Sequence, residues 1–521
     1  MKLVKSLLLG SAAGLIAVGG AQAADLPVKA KAVEYVKVCS LYGAGFYYIP
    51  GTDTCVKLGG YLRVDVLANT NSDHTGNTSG AGGAQNRFTN AYTWRSREDL
   101  TIDTRTATEY GVVRTFMDTV FSWTSDTYTG QANGSSLYGV VGTAAGGNNA
   151  TQGSVAYGTV GVYYAFIQFA GFTMGKAVSQ FSAPWANYPG NGYDGLVGGG
   201  GTITGVNQFT YTADFGQGVS ASISAQDQTT YYQAGLFNVS NGGNSGFGAS
   251  NYAGTPAPDI VGMVRVDQAW GLFQASVALH DNHAAYYSSL DPTISGTEAA
   301  GHPQDKWGWA GQLALSIKNI PTGPGDTINV SGVYTNGATR YNIQDLAASA
   351  GANTIYGGSN VPGVYQSIGL GLAPDTVFAT GGSQQLISTW GFRGAYTHNW
   401  DPYWSTSVYG AYAGISYTGT AKQLICGGIL GANIRATTQR IAGSNGTCNP
   451  DYSISQIGLV HRWTPVKNLT FSGEVTYTML DQKMAGFIES AANTGIGKPA
   501  ADYELKNQNT WMLLLRAQRN W

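Results

Sequence analysis

The sequence GTVGVYYAFIQFAGFTMGKAVSQFSAPWANYPGNGYDGLVGGGGTI, residues 158–203, joins a tight apolar hairpin to a long glycine-rich loop. The hairpin turns at Ala170-Gly171 and is built from β-branched and aromatic residues, which favour two strands joined by a short turn. Both of its faces are apolar, whereas a strand with water on one side should alternate. We therefore predict that another part of the chain covers the inner face, and the loop that follows is the nearest candidate.

The composition differs from that of an ordinary soluble protein. The 521 residues include 74 Gly, 32 Tyr and 12 Trp, and only 11% are charged, against a usual value of about 25%. This composition indicates many strands and long polar loops. The 28 basic and 30 acidic residues nearly balance, and no cluster of Lys and Arg stands out along the chain, so we expect no nucleic-acid partner.

The amino terminus has the three parts of a secretory signal peptide. Residues 1–5 contain two lysines, residues 6–20 are uncharged and largely apolar, and residues 21–23 form an Ala-x-Ala cleavage site. The alternative, a transmembrane anchor, needs about 20 apolar residues and would here be short. We expect a signal peptide over residues 1–23 and a mature domain over residues 24–521.

An exported chain without a helical anchor leaves two classes, a soluble secreted protein or an outer-membrane barrel. Beyond the amino terminus, each longer uncharged run is broken by Asn, Gln, Ser, Thr and Gly, so no other segment resembles a membrane helix. The pattern of connections distinguishes the two classes.

Four cysteines, an even number, indicate two disulfide bonds in an oxidising compartment. Three pairings are possible in principle. The local one, Cys39 with Cys55 and Cys426 with Cys448, closes two short loops, each worth about 3 kcal/mol on the chain-entropy model. A metal site is the competing interpretation, but the chain has no C-x-x-C motif and no nearby histidine pair, so we expect no metal.

Long and short connections alternate along the whole chain. The predicted long connections lie near residues 69–90, 123–154, 181–204, 228–258, 282–305, 337–385, 418–451 and 481–507. The predicted short ones lie at Thr106-Ala107, at Ala170-Gly171 and near residues 215–218, 269–271, 318–325, 399–402 and 463–468. Bacterial membrane barrels keep short periplasmic turns and longer external loops, whereas a soluble sandwich has no reason to alternate loop length. The pattern predicts an all-β fold, a 16-stranded antiparallel transmembrane β-barrel.

The polar face of these strands would line the lumen. A barrel in lipid turns its apolar face outward, and sixteen strands enclose an aqueous channel. The first three strands carry five basic residues on the polar face, and we expect them to form one basic patch because sequential strands are adjacent: Lys57, Arg63, Arg95, Arg97 and Arg114. In the alternative interpretation these side chains are solvated and partly paired with carboxylates: Asp65, Asp99, Asp103 and Asp118.

The glycine-rich loop carries a single acidic residue, Asp194. Charged groups at a constriction set the preference of a channel for permeant ions. If the loop faces the basic wall, Asp194 and the wall residues, Asp118 among them, would create a transverse field across the opening. Because Asp194 is the only acidic residue of the loop, we expect weak charge selection.

Catalysis finds little support in the sequence. The six histidines are scattered, and neither H-E-x-x-H nor G-x-S-x-G occurs. Residues 171–176, GFTMGK, are one residue short of a phosphate-binding loop and are followed by Ala177. We expect no enzymatic activity and no cofactor.

Four stretches of the sequence resemble one known family. They are VKVCSLYGAGFYYIPGTDTCVKLGGYLRVD (residues 36–65), RSRED (95–99), TEYGVVRT (108–115) and AFIQFAGFTMGK (165–176). These stretches are similar to the general porins of alphaproteobacterial outer membranes, and the resemblance spans most of the mature chain. It implies a homotrimer of 16-stranded barrels in the bacterial outer membrane, in contact with its lipid, that passes small hydrophilic solutes and ions.

The porin pattern also assigns a place to the glycine-rich loop. In these proteins the third external loop folds inward to form the narrowest part of the pore, and along this chain that loop is residues 180–204. We expect Phe181, Trp185 and Tyr188 to fold back inside the barrel and to cover Tyr164 and Phe166.

The sequence thus predicts a passive diffusion channel that selects solutes by size and charge. The first alternative is a substrate-specific channel, in which Trp185 and Tyr188 would grip a ligand such as a sugar. A structural or receptor barrel without conductance is the second alternative.

Overall fold

A computed structural model of the chain describes residues 37–69, 84–87, 89, 91–124, 159–185, 196–199, 205–229, 232–241, 251–288, 291–343, 352–427, 446–493 and 497–521. The signal peptide predicted over residues 1–23 lies outside the described residues. No helix within the described part is long and apolar enough to span a membrane.

Sixteen strands build the wall of the fold. They are β1 (Thr54–Asn69), β2 (Tyr92–Thr108), β3 (Gly111–Thr124), β4 (Thr159–Phe169), β5 (Phe172–Ala177), β6 (Val206–Gly216), β7 (Val219–Gln226), β8 (Asp259–Gln268), β9 (Gly271–Asn282), β10 (Lys306–Lys318), β11 (Thr327–Asn336), β12 (Ser388–Asn399), β13 (Trp404–Ser416), β14 (Tyr452–Val466), β15 (Leu469–Gln482) and β16 (Gln508–Asn520).

The wall closes on itself. Each strand pairs antiparallel with the next one along the chain, and β16 pairs back onto β1. Val64 on β1 lies opposite Ser96 of β2 on one side and Ala517 of β16 on the other. The predicted 16-stranded antiparallel barrel is confirmed.

The strand ends that the long connections join lie at one end of the barrel and the short turns at the other, as the sequence predicts. We number the long connections L1 (70–91), L2 (125–158), L3 (178–205), L4 (227–258), L5 (283–305), L6 (337–387), L7 (417–451) and L8 (483–507). The short turn predicted at Thr106-Ala107 is wrong by three residues. Thr106 and Ala107 continue the pairing of β2 with β3, and the turn is at Glu109-Tyr110, where the Thr108 hydroxyl donates to the Gly111 carbonyl at 2.7 Å.

The apolar face of the barrel points outward. Along β2 the residues from Tyr92 to Asp99 alternate between exposed and buried, which is the period of a strand with two different surroundings. Exposed aromatic side chains form two girdles, as in barrels that cross a membrane. The girdle at the loop end contains Tyr92, Trp94, Trp307, Trp309, Tyr334, Trp390 and Trp511, and the girdle at the turn end contains Tyr110, Phe172, Tyr211, Phe215, Trp270, Trp404 and Trp463.

Both local disulfides are present. Cys39–Cys55 ties a short amino-terminal segment to the start of β1, and its strand Tyr47–Tyr48 pairs with β1. Cys426–Cys448 lies in L7 and holds the end of helix α1 (Gly419–Gly427). Short 3-10 turns occur at Ser40–Tyr42, Val239–Asn241, Glu298–Ala300 and Thr339–Tyr341.

The long loops contain two additional sheets that the sequence did not predict. A four-stranded sheet, here the cap sheet, combines strands of L6 and L8: Ala352–Gly357, Gln366–Leu372, Ala501–Leu505 and Gly486–Ser490. A three-stranded sheet combines strands of L4 and L6: Leu236–Asn238, Thr376–Phe378 and Gln385–Leu386. The cap sheet lies against the loop ends of β14 and β16, because a Cβ at Gly371 would stand 2.7 Å from the ring of Tyr452 and one at Gly369 2.7 Å from Gln508.

A hydrophobic core fills part of the barrel interior. Leu196 of L3, Leu372 of L6 and the inward residues Ile415 and Leu514 of the wall belong to one buried cluster. A second cluster joins Phe181 of L3 to other loop and wall residues: Tyr232, Tyr341, Val261, Ala278, Ala310 and Val333. The wall residues of the two clusters lie on β6, on β8 to β16 and on β1, so loop residues pack against the inner wall over much of the ring.

Candidate pore lining and constriction

An arginine ladder lines the inner wall across β16, β1 and β2. In one row Asp65 lies between Arg516 and Arg95, and in the next row Arg63 lies opposite Arg97. Arg516 donates to both Asp65 oxygens, at 2.6 and 3.1 Å. This side-by-side arrangement follows from strand register, because residues opposite each other on one face bring their side chains together.

The neighbours of the ladder orient its arginines. Arg63 Nε donates to Gln518 Oε1 at 2.9 Å, and the Arg63 guanidinium lies 4.4 Å from the centre of the Tyr61 ring. Arg97 Nε donates to Ser122 Oγ at 2.9 Å. Arg516 was not among the predicted pore residues, although the alternation of the last strand places it on the inward face together with Gln518.

A second set of basic residues, here the lower tier, lies nearer the turn end of the barrel. Arg105 and Arg114 are opposite each other and both donate to the Asp103 carboxylate, at 2.9 to 3.2 Å. Lys57 on β1 lies opposite Asp103 of β2. Aromatic rings flank this lower tier, with Phe46 at 4.8 Å from the Arg105 guanidinium.

The expectation of one basic patch is therefore wrong. Arg63 is six positions after Lys57 on β1, which places the two tiers about 20 Å apart along the strand. Arg63, Arg95 and Arg97 belong to the upper ladder, whereas Lys57 and Arg114 belong to the lower tier. The strand phase predicted the inward face correctly, but position along the strand decides which charges are neighbours.

Carboxylates lie between and within the two tiers. Asp99 is opposite Tyr61 of β1, and Asp118 of β3 is opposite Thr101 of β2. The wall of β16 to β3 thus carries seven basic and four acidic inward side chains: Arg63, Arg95, Arg97, Arg516, Lys57, Arg105 and Arg114 against Asp65, Asp99, Asp103 and Asp118. The described wall has an excess of positive charge, and the predicted partial pairing with carboxylates occurs at Asp103.

The first part of L3 enters the barrel. Phe181, Ser182 and Ala183 are buried. Two glutamines of the inner wall hold this backbone, since Gln312 Nε2 donates to the Phe181 carbonyl at 3.0 Å and Gln274 Nε2 to the Ser182 carbonyl at 3.1 Å. The loop therefore lies against β9 and β10.

The distal part of L3 rests on the wall further around the ring. The Val197 amide donates to Gln456 Oε1 on β14 at 3.1 Å, and Arg393 Nη1 on β12 donates to the Leu196 carbonyl at 3.2 Å. Gly198 has a φ of 87°, and a Cβ there would stand 2.3 Å from the Phe392 carbonyl oxygen. Only glycine allows the loop backbone to approach the wall so closely.

The first part of L3 lies across the barrel from the arginine ladder, because its anchors on β9 and β10 are eight strands from β1 and β2. The anchors of its distal part are nearer the ladder around the ring, and Gln456 on β14 is two strands from β16. Asp194 and Tyr188, two of the predicted constriction residues, lie outside the described residues. Trp185 is half-buried.

One packing prediction for L3 is wrong. The ring of Phe181 does not cover Tyr164 and Phe166 but contacts Tyr341 of L6 edge-on, with ring centres 4.6 Å apart. The other end of the loop approaches Tyr164, because a Cβ at Gly205 would stand 3.1 Å from its ring. Phe181 reaches L6 because L6 also enters the lumen, which no local pattern in the sequence indicated.

A buried polar cluster lies beside Phe181. His280 Nδ1 is 2.9 Å from Asp259 Oδ1, and its Nε2 is 3.6 Å from Asp375 Oδ2 of L6. The Tyr341 hydroxyl donates to Asp259 at 2.6 Å, and the Tyr252 hydroxyl donates to Asp375 at 2.8 Å. The His280, Asp259 and Asp375 side chains are fully buried, so a solute in the lumen does not reach them.

The cluster is a structural network. Burial by itself would raise the pKa of the Asp375 carboxyl, but hydrogen bonds and charge from His280 and the amides of Ala234 and Thr339 outweigh it and hold the pKa below its usual value. Its oxygens are thus already used as acceptors. Among the residues that the structure describes, no group of three or more His, Cys, Asp or Glu side chains is arranged to hold a metal ion.

Comparisons with known proteins agree with this architecture. A family model described as the Porin subfamily matches residues 25–514. Porin Omp2b of Brucella canis is 34% identical over 282 residues, which are 53% of this chain and 65% of that protein. Porin Omp2a of Brucella ovis is 38% identical over 230 residues, 43% of this chain and 59% of that protein. Each match covers less than two thirds of the relative.

Among solved structures, the outer membrane channel DcaP of Acinetobacter baumannii aligns with a TM-score of 0.52. The alignment covers 91% of this chain and 99% of that chain, at 14% sequence identity. At this identity the likeness concerns the fold alone.

Proposed function

The chain belongs to the porin subfamily and is a protein of the bacterial outer membrane, and from this premise we propose that it is a passive diffusion channel for small hydrophilic solutes and ions. Proteins of this family are channels rather than enzymes. Solutes would be selected by size and charge where L3 faces the arginine ladder. The process needs no cofactor and no turnover.

One observation carries this proposal. Both described parts of L3 lie inside the barrel, the first on the wall opposite Arg63, Arg95 and Arg97 and the second further around the ring toward β16. A loop held there reduces the cross-section that sixteen strands would otherwise leave open. The excess of basic groups on the facing wall raises the local concentration of anions.

Single-channel recordings in planar bilayers test the proposal. We expect stable conductance in the wild type, with flux that falls smoothly as solute size increases. In a salt gradient, Arg95→Gln with Arg97→Gln should shift the reversal potential toward cation preference. Arg519→Gln is the matched control, because Arg519 is on the outward face and donates to the Lys467 carbonyl at the turn end.

An unchanged reversal potential in the double variant would reject charge selection at the ladder. A wild type without conductance would reject the channel itself and favour a structural barrel. Either result is interpretable only for protein that migrates as a folded barrel in an unheated SDS gel.

A substrate-specific channel is the second candidate. The observation that favours it is the additional filling of the lumen by L6 and the cap sheet, which a filter based on size alone does not require. Saturable block of conductance by one solute, for example a sugar, would support it. In that case the half-buried Trp185 of L3 and Tyr188 are the first residues to replace.

We also propose that the channel is a homotrimer whose subunits meet at β1 to β3. Glu98 is exposed on the outward face of β2, between Leu62 of β1 and Phe121 of β3. It lies four residues from Trp94 in the loop-end girdle, which places it about 13 Å further along the strand, within the hydrocarbon layer. A carboxylate facing lipid there is unfavourable, so a second copy of the chain is expected to cover it.

The oligomeric state of Glu98→Leu in detergent tests this interface. Because the partner subunit would lose the group that it pairs with, we expect the variant to dissociate at lower detergent concentration than the wild type. Leu313→Ala on β10, on the other side of the ring, should leave the assembly intact. A monomeric wild type, or a trimer unaffected by Glu98→Leu, would contradict the assignment.

A further inference from the structure

Loop L6 contacts L3 at two described points inside the barrel. The Phe181 ring of L3 meets the Tyr341 ring at 4.6 Å between centres, at an interplanar angle of 67°. The Gly198 amide of L3 lies 3.1 Å from the Asn342 carbonyl oxygen and 3.2 Å from its side-chain oxygen. Tyr341 and Asn342 are consecutive, so one turn of L6 contacts both described parts of L3.

That turn of L6 is fixed from several directions. The Tyr341 hydroxyl donates to Asp259 of β8 at 2.6 Å. The Tyr341 ring stacks on Tyr232 of L4, with centres 3.9 Å apart and planes 6° apart. At the start of the turn, the Thr339 amide donates to Asp375 Oδ1 at 2.6 Å, and the Thr339 hydroxyl donates to the Pro374 carbonyl at 2.9 Å.

Asp375, near the carboxyl-terminal end of L6, connects the turn at Thr339 to L4. It accepts from the Ala234 amide of L4 at 2.8 Å and from the Tyr252 hydroxyl at 2.8 Å. The Tyr252 hydroxyl is also 2.9 Å from His280 Nε2, and His280 Nδ1 is 2.9 Å from Asp259, so the two ends of L6 and the wall share one hydrogen-bonded network. A buried network of this kind is stable only when all its members are paired, which makes its opening cooperative.

Burial raises the pKa of the Tyr341 phenol well above its usual value. The hydroxyl therefore keeps its proton and remains a donor to Asp259 throughout the pH range of channel recordings. The Tyr341 phenol therefore does not titrate near neutral pH, and its hydrogen bond to the wall is kept there.

We propose that L6 is a second arm of the constriction and that Tyr341 is a positioning residue that holds L3 in place. The narrowest part of the pore is then set by L3 and L6 together, not by L3 alone. The inference deepens the proposed channel function and rests on it for its electrical readout, but the contact between the loops can be tested without conductance.

The first test uses a thiol placed in L3 next to its contact with Tyr341, here called the clamp. All four native cysteines are in the two disulfides, so Ala183→Cys introduces the single free thiol of the chain. Ala183 is buried two residues from Phe181. We expect a water-soluble maleimide to label this thiol at least about tenfold faster when Tyr341→Ala is added, because removing the ring lowers the free energy of local opening.

The matched control is Tyr334→Ala in the same Ala183→Cys background. Tyr334 is on β11, shortly before L6, but its ring is exposed on the outward face. Tyr341→Phe keeps the ring on Phe181 and Tyr232 and loses only the hydroxyl, so its labelling rate should fall between those of Tyr341→Ala and the wild type. This variant keeps the test decisive if Tyr341→Ala does not fold.

The second test is electrical. In folded barrels, Tyr341→Ala should show a larger single-channel conductance and additional brief closures, and Tyr341→Phe should restore most of the steady current. A purely structural role of Tyr341 would lower the yield of folded barrel without changing the current of those that fold.

Two outcomes separate the two proposals. Equal labelling of Ala183→Cys in the Tyr341→Ala, Tyr341→Phe and Tyr334→Ala backgrounds would overturn the clamp, whatever the conductance. A wild type without conductance would overturn the channel function, while faster labelling with Tyr341→Ala would still support the clamp.

Discussion

Two sides of the same barrel use their inward polar residues in different ways. On the open side, formed by β16 to β3, polar side chains pair with each other across strands, as Arg516 does with Asp65 and Arg97 with Ser122. On the covered side, formed by β7 to β14, they bind the backbone of loops, as Gln274 and Gln312 do with L3. One alternating pattern can therefore line a pore or anchor a loop.

The energetic consequence is also different. In the lower tier of the open side, Arg105 and Arg114 are 29% and 28% exposed, so water can replace a lost partner there and a single pair contributes little to stability. On the covered side, a lost partner leaves a buried polar group without a hydrogen bond, which costs more than the bond itself contributed. Substitutions of the same type should therefore have unequal effects on the two sides.

The largest expected effect is on stability. Asp375→Ala on the covered side removes the acceptor of the Ala234 and Thr339 amides and the carboxylate beside His280, and we expect it to lower the free energy of unfolding by about 3 to 5 kcal/mol. Asp103→Ala on the open side should lower it by at most about 1 kcal/mol, because Arg105 and Arg114 remain 29% and 28% exposed. Thermal unfolding in detergent compares them, and equal losses would remove the distinction between the two sides.

The next effect concerns the contact between L3 and the wall. Gly198→Ala places a methyl group against the Phe392 carbonyl, so the tip of L3 should leave the covered wall. A thiol at the buried Val197 position should then be labelled about tenfold faster, since a loss of 1.4 kcal/mol in local stability corresponds to that factor. Gly216→Ala, with a similar φ of 79° but open space around it, is the control and should leave labelling unchanged.

Charge selection should separate the two sides more moderately. Arg97→Gln on the open side should reduce the permeability of anions relative to cations by about three- to sevenfold, the effect of a potential of one to two kT. Arg393→Gln on the covered side should change selectivity little, because Arg393 lies under L3 and its Nη1 donates to the Leu196 carbonyl. Reversal potentials in a salt gradient measure both, and similar shifts would show that Arg393 also faces the solute path.

The smallest expected effect is on the cap sheet. Lys498 of L8 is buried, donates to the carbonyl of Ala84 in L1 and to Gln366 Oε1 in L6, and lies 4.1 Å from the centre of the Tyr356 ring. Burial lowers its pKa to about 8. The native state thus holds this proton less tightly than the unfolded chain does.

Stability should therefore increase as pH rises from about 8 toward the unfolded value of about 10.4, and it should decrease as pH falls through 8. We expect the unfolding temperature of the wild type to rise relative to that of Lys498→Met by about 1 °C between pH 7.5 and 9.5. Parallel curves for the two proteins would contradict the shifted pKa.

Much of the wall was predictable from the sequence because its signals are local. Strand alternation has a period of two, and the change between long and short connections is visible without tertiary information. The alternation of polar and apolar residues along β1 and β2 was enough to predict that Arg63, Arg95 and Arg97 are on the inward face. The turn at Glu109-Tyr110 was missed by three residues because Thr106 and Ala107 are compatible with either a strand or a turn.

The arrangement of the candidate site was less predictable. The separation of Lys57 and Arg114 from the upper ladder depends on the register between strands, which phase does not specify. The pair of Arg516 and Asp65 forms only when the last strand closes on the first. The constriction residues Asp194 and Tyr188 remain predictions.

The residue pattern along the chain specifies the barrel, its sixteen strands, the inward face of each strand and the even number of cysteines that form two disulfides. The entry of L6 into the lumen and the contact among Asp259, His280 and Asp375 depend on the tertiary structure. These residues are up to 116 positions apart, on two strands and a loop. Their contact depends on which loops pack inside a closed ring, and no periodicity of the chain encodes that packing.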